Sequence, residues 1–439
     1  MSTVTQVAKT MQALLNEPAN RLARETGFVQ RQSELGGAEF AQALVFGWLA
    51  NPDATLEELS QTAIAIGACV TPQAVHKRFT PQAAAFMEQL LKEGVQQVIT
   101  AAPLAQPILR RFNGVYLTDS SVVTLPDVLA EVWPGCGGST PEGTSAAVKL
   151  QVRIDFSSGS LQGPLLQAGR THDQNSPLPT SPLPDGALHL ADLGYFRLDT
   201  LRDYDQQRVY WLVRPKVNTV IYDQHGQPTT LAQLLAAQSG SQVDLAIQLG
   251  ASHRIGCRLL AVRVPSAIAQ KRRRQLRARA KKKGQTVSKA RLQLADWGYY
   301  ITNVPAALLT IQEAMTVAGV RWQIELLFKL WKSEGKLDKS RSSKPWRILC
   351  EFYAKLLALL IQHWIFLVSC WTYPDRSLHK AAQTVRKQAF HLAVVFSNTR
   401  QLCQALALIQ HCLAVGCRLD KRRKQPATFQ RLMCLSFES

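Results

Sequence analysis

Gly114-Val-Tyr-Leu-Thr-Asp119 and Leu188-His-Leu-Ala-Asp192 are two short apolar runs, each closing on an acid. Runs of this length predict buried strands, and each acid then falls at a strand's C-terminal end, on the rim of a sheet. Working outward, the texture stays β. Ala147–Phe156 alternates, and Ser160–Gln167 is placed to be its hairpin partner. Val209–Tyr222, Val243–Pro265 and Trp297–Val304 predict further strands, interrupted by a short helix near Leu231–Ala237. Both flanks read as helix. Thr55-Leu-Glu-Glu58 has the spacing of a capping box. Thr71-Pro72 and Thr80-Pro81 pair an N-cap with proline at the first helical position, and everything after about Thr310 reads as helix. The expected class is α/β, with helical regions at 1–108 and 373–439 around the strands.

The chain has 439 residues, with 51 Lys and Arg against 31 Asp and Glu, a net charge of +20. With 46% hydrophobic residues, it is no disordered polybasic tail. The excess charge points to a polyanionic partner, nucleic acid ahead of anionic membrane. Nine cysteines without a C-x-x-C pair read as reduced thiols of a cytoplasmic protein rather than a zinc site. The N-terminus shows no secretory signal. Leu356–Cys370 is apolar but only fifteen residues long and contains Gln362 and His363, so it predicts a buried helix, not a membrane span. Two basic features fit nucleic acid. The short helix from Pro72, followed closely by another from Thr80, resembles a helix-turn-helix, with Lys77 and Arg78 as its DNA contacts. Lys271–Lys283 holds nine cations in thirteen positions: Lys271, Arg272, Arg273, Arg274, Arg277, Arg279, Lys281, Lys282 and Lys283. Such a run predicts a solvated arm along phosphates.

The segment Arg321–Lys332 carries the chemistry. At about 100° per residue, Arg321, Glu325, Lys329 and Lys332 share one stripe of a helix. The rest of the circumference is apolar, which predicts a buried helix whose single polar stripe opens on a cleft or on solvent. A solvent-facing stripe with a Glu325–Lys329 pair would look the same. Asp119 and Asp192 favour the cleft. With Glu325 they make a set of hard carboxylates without His or Cys, suited to Mg²⁺ or Mn²⁺ and to activating water or a 3′-hydroxyl at a phosphodiester.

These motifs resemble the DDE transposases of bacterial insertion sequences. Tyr116-Leu-Thr-Asp119-Ser-Ser121 is similar to their first acidic motif and Asp192-Leu-Gly-Tyr-Phe196 to the second. Arg321-x3-Glu325-x6-Lys332 resembles the R-E-K part of the Y-x2-R-x3-E-x6-K signature found in the group related to the hairpin-forming enzymes. The arginine-rich stretch and Trp297–Pro305 also look like that group. The resemblance extends over about 112–370, and Ala318 stands where the signature tyrosine is expected.

The resemblance implies a ribonuclease-H-like catalytic core in two parts, 109–204 and 295–372. A β-rich insertion with the basic arm would occupy 205–294, a DNA-binding domain 1–108, and a dimerisation region 373–439. It further implies that Asp119, Asp192 and Glu325 hold two Mg²⁺ ions, for which Mn²⁺ would substitute. Arg321 and Lys332, with Lys329 beside them, would grip phosphate, and Trp297 would stack on a flipped base during a hairpin step. The expected partner is DNA, both element ends and target, bound by a homodimer in the bacterial cytoplasm on the nucleoid, with no membrane role. Two alternatives stay open: a nuclease of the same fold that only hydrolyses DNA, and a domesticated or inactive transposase that only binds it.

Overall fold

The computed structural model describes residues 3–104, 106–137, 146–178, 181–373, 375–419, 431–432 and 435. Six helices open the chain: α1 (Thr3–Leu15), α2 (Glu17–Glu25), α3 (Gly37–Ala50), α4 (Leu56–Ala65), α5 (Pro72–Lys77) and α6 (Pro81–Gly94). Their starts follow from local chemistry. The Glu58 N–H donates to Thr55 Oγ1 at 3.2 Å, and the Thr55 N–H donates to the Glu58 carboxylate at 2.7 Å, so the capping box of α4 is closed. Thr71 and Thr80 accept from the N–H groups of Ala74 and Ala83, each followed by a proline that lacks the N–H a first helical turn would leave unpaired. The helix from Thr80 ends at Gly94.

The β structure follows. It comprises β1 (Val115–Thr124), β2 (Ala147–Asp155), β3 (Leu161–Ala168), β4 (Leu188–Ala191), β5 (Tyr210–Val213), β6 (Ile221–Tyr222), β7 (Pro228–Thr229), β8 (Gln242–Leu249), β9 (Ile255–Arg263) and β10 (Trp297–Thr302). Four helices lie between these strands: α7 (Leu198–Gln206), α8 (Leu231–Ala236), α9 (Ser266–Lys282) and α10 (Lys289–Gln293). The chain closes with α11 (Ile311–Ala318), α12 (Trp322–Ser333), α13 (Pro345–Val368), α14 (Leu378–Val395) and α15 (Thr399–Val415). The protein is mixed α/β, as its sequence texture predicts.

Three expectations need correction. β1 does not stop at Asp119 but continues for five residues, so Asp119 lies inside a strand; the polar stretch Ser120-Ser121 before Val122-Val123 disguised its second half. The basic run needs correction only in form: expected as a solvated arm, it is the helix α9, because it has no proline or β-branched residue and holds Leu276, Ala278 and Ala280 among its cations. The third concerns α12, which is apolar nearly all round yet not wholly buried. Ile324, Leu327, Phe328, Leu330 and Trp331 are buried, whereas Trp322 is 55% and Leu326 36% exposed.

The chain divides into two compact units. One comprises Met1–Leu104, Ser120–Thr171 and Glu325–Gln425. Its centre is α13, buried from Ile348 to Val368 and packed against α1, α3, α6 and α14. The apolar stretch expected to span fifteen residues is therefore a 24-residue helix, long and apolar enough by composition to cross a membrane, and its most apolar window is entirely buried. Glu351 and Lys355 pair at 2.7 Å inside it. In the same unit β2, buried along its whole length, forms the predicted antiparallel hairpin with β3. The helices α14 and α15 pack on each other; of the basic stretch 418–424 beyond them, residues 420–424 lie outside the described residues.

The other unit comprises Ala105–Asp119, His172–Ile324 and Pro426–Ser439. Its strands run β1-β4-β5-β10-β9-β8-β6-β7. β1, β4 and β5 are parallel, whereas β10, β9 and β8 follow antiparallel. Trp211, Tyr204, Leu235, Leu259, Trp297 and Ile301 are among the residues of its core.

Candidate active site

The parallel pairing of β1 with β4 sets Thr118 against Ala191. One residue further along each strand come Asp119 and Asp192, so the two acids neighbour each other at about the 4.8 Å spacing of adjacent strands. Alternation along a strand puts both on the same side of the sheet as Leu117 and Leu190. The other side is locked from within. Thr118 Oγ1 and His189 Nε2 hydrogen-bond at 3.0 Å, both buried, and the His189 ring packs at 4.9 Å against Tyr204. Sequence reading missed this pair, because a threonine and a histidine within apolar strands carry no spacing signal. Asp192 takes an extended backbone and starts a short 3-10 turn, Leu193–Tyr195, which ends the strand and leaves the carboxylate exposed.

Asp119 is not alone. The Arg321 guanidinium stands 3.7 Å from its carboxylate. A cation beside Asp119 offsets the repulsion between two neighbouring acids. Glu325, half-buried on the first turn of α12, belongs to the other compact unit. So does Lys332, whose ammonium donates to the Val122 carbonyl at 2.7 Å in the second half of β1. Its burial lowers its pKa. Lys329 is exposed. Among the described residues, no three or more His, Cys, Asp or Glu side chains are gathered closely enough to hold a metal ion. The Asp119–Asp192 pair, one acid inside β1 and the other just past β4, offers hard carboxylate donors of the kind a divalent cation takes.

The other expected contacts divide sharply. Trp297 is 4% exposed and belongs to the core, with the Arg263 guanidinium 4.6 Å from its ring centre. It is a buried strand aromatic packed in the core. Arg272 donates to the Trp297 carbonyl, and Arg273 pairs with Asp296, so these two cations hold α9 to β10. The remaining seven, Lys271, Arg274, Arg277, Arg279, Lys281, Lys282 and Lys283, are exposed. Lys77 is exposed too, whereas Arg78 lies over the Phe28 ring at 4.1 Å and donates to the Leu35 carbonyl. Half-buried, Arg78 helps to hold the helical unit together.

Residues 110–361, more than half of the chain, match the family described as "Transposase DDE domain". The chain belongs to the DDE transposase family. Full-length relatives agree with this membership. The transposase for insertion sequence element IS231F of Bacillus thuringiensis subsp. israelensis is 26% identical over 442 residues, covering 93% of this chain and 90% of the relative. The transposase for IS231E of Bacillus thuringiensis subsp. finitimus is 24% identical, covering 94% and 91%. The transposase for IS1151 of Clostridium perfringens is 28% identical, covering 80% and 78%. As a DDE transposase of bacterial insertion sequences, the protein is an enzyme of DNA cleavage and strand transfer, and dependence on a divalent metal comes with the family.

Proposed function

We propose that this DDE transposase cuts at the ends of its own insertion sequence and joins the freed 3′-hydroxyls to target DNA, using Asp119, Asp192 and Glu325 as its acidic residues. The observation that carries this reading is the β1–β4 register, which brings the first two acids side by side within the matched region. Two Mg²⁺ ions, or Mn²⁺ in their place, would supply a deprotonated nucleophile and stabilise the leaving oxygen. On this reading Arg321, beside Asp119, and Lys329 and Lys332 on α12 would supply positive charge to the phosphate. We read the core as ribonuclease-H-like. The parallel neighbours β1, β4 and β5, and the antiparallel hairpin β2–β3 following β1 in the chain, support that reading. On it, 109–204 and 295–372 are the core, 205–294 the insertion and 1–108 the DNA-binding region. A homodimer, with contacts from 373–439, would hold paired ends in the bacterial cytoplasm.

The test is a plasmid carrying the element's own flanks, incubated with purified protein and Mg²⁺, beside an Asp119→Ala control. Excised fragments and joined products are expected, with the control down at least about 10³-fold, the order of loss on removing one member of a catalytic set. Hairpin ends in the same reaction would establish the hairpin route; open ends would exclude it. Hydrolysis without joining would point to a nuclease, and specific binding without cleavage to a domesticated DNA-binding protein.

A further inference from the structure

Two stretches more than 260 residues apart meet in the helical unit. The Lys344 ammonium donates to His76 Nε2 at 3.1 Å, across a separation of 268 residues. The Arg347 guanidinium lies 5.6 Å from the centre of the Phe79 ring. The end of α5 is thereby tied to the start of α13. Neither stretch contains an acid: 71–81 carries His76, Lys77 and Arg78, and 339–347 carries Lys339, Arg341, Lys344 and Arg347. Lys77, Arg341 and Lys344 are exposed, and Trp346, two residues after Lys344, is 38% exposed. Burial and the neighbouring Lys344 and Arg347 lower the pKa of His76, so it accepts from the ammonium as a neutral ring.

The segment before α13 is held from beneath. Lys355, 2% exposed, donates to the carbonyls of Lys336 and Lys339, and its partner Glu351 accepts from Ser340 Oγ at 2.7 Å. The Ser340 and Ser342 hydroxyls accept in turn from the N–H groups of Ser342 and Lys344. A buried ion pair costs desolvation that its own attraction barely offsets. Here it fixes the backbone of a loop whose Lys339, Arg341 and Lys344 are exposed.

We propose that Lys77, Arg341, Lys344 and Trp346 form one preorganised face that binds the sugar–phosphate backbone of duplex DNA, shared between α5 and the α12–α13 connection. Exposed cations beside an exposed aromatic suit a polyanion that also offers apolar sugar surface, with Asp53 and Glu58 within electrostatic reach of Arg341. The inference rests on the transposase reading and assigns it a binding surface outside the acidic residues.

The test measures duplex affinity of the full-length protein by fluorescence anisotropy from 50 to 300 mM NaCl. One duplex carries the element's terminal repeat, and the other is scrambled. The double variant Lys77→Ala/Lys344→Ala should bind both about tenfold more weakly. Its slope of log affinity against log salt should be shallower by roughly 1.8, about 0.9 per lost phosphate contact. Trp346→Ala should weaken binding with the slope unchanged, and Lys92→Ala, on α6 outside the face, should match wild type. A thermal melt confirms that each variant is folded. A double variant with wild-type affinity and slope overturns the proposal and leaves the transposase reading standing. A wild-type protein that binds neither duplex overturns both.

Discussion

Ala318 marks how one residue can differ from a family signature without leaving a gap. It is the last residue of α11 and only 7% exposed, so its methyl group already meets protein. Restoring the signature tyrosine would force a phenol into a filled position. Such overpacking costs about 1–3 kcal/mol. Ala318→Tyr is therefore expected to lower the melting temperature by a few degrees without raising excision above wild type; a gain in excision at unchanged stability would show that the ring has room and a role. Trp297 teaches the converse. Its position matches the expected stacking aromatic, but its ring is spent on the core under Arg263.

At the scale of elements, α13 is the most demanding. A helix buried on every side must satisfy each polar group it carries. Lys355 does so with Glu351 and two carbonyls. Lys355→Met should cost about 3–5 kcal/mol by stranding the buried carboxylate, and Glu351→Leu/Lys355→Met should recover most of it; urea unfolding of both variants checks this. His363 is another buried polar group, next to Gln362, and its Nδ1 has no hydrogen-bond partner among the described residues. It donates from Nε2 to the Gly159 carbonyl at 2.8 Å, and burial pushes its pKa down to about 4. Gly159 has φ +74°, and a Cβ there would meet Leu367 and Trp371 within 3 Å, so both conformation and space require glycine. The folded state keeps His363 neutral, while the unfolded chain protonates it near pH 6.5. Stability should thus be full above about pH 6.5 and fall as pH drops to about 4, by about 3 kcal/mol from this residue. His363→Phe should flatten the difference between urea midpoints at pH 7 and pH 4.5.

For the whole molecule, charge is the dominant property. A net +20 remains after every acid is counted, and seven cations of α9 stand in solvent. If six to ten phosphates are neutralised, non-specific duplex affinity should fall about 10³- to 10⁵-fold between 50 and 200 mM salt. Anisotropy titrations on a random duplex measure it, and a slope magnitude below about 2 would refute so extensive an electrostatic footprint.

Much of this was legible without coordinates because it is local. Helix starts such as Thr55–Glu58 are written in three or four consecutive residues. The strands β2, β3, β4 and β10 follow from apolar runs, and the family from motifs that all lie within the matched residues. What the sequence could not determine depends on groups distant along the chain. Whether Trp297 and Arg78 face solvent depends on Arg263 and Phe28. That Asp119 stands beside Asp192 depends on the β1–β4 register. That Lys344 meets His76 depends on the packing around α13. Backbone hydrogen bonding and side-chain capping act over a few residues, so sequence by itself determined the elements and the chemistry they carry. Burial and register are sums over contacts the chain makes only once folded, so the tertiary structure alone decided which cations and rings remain free to act.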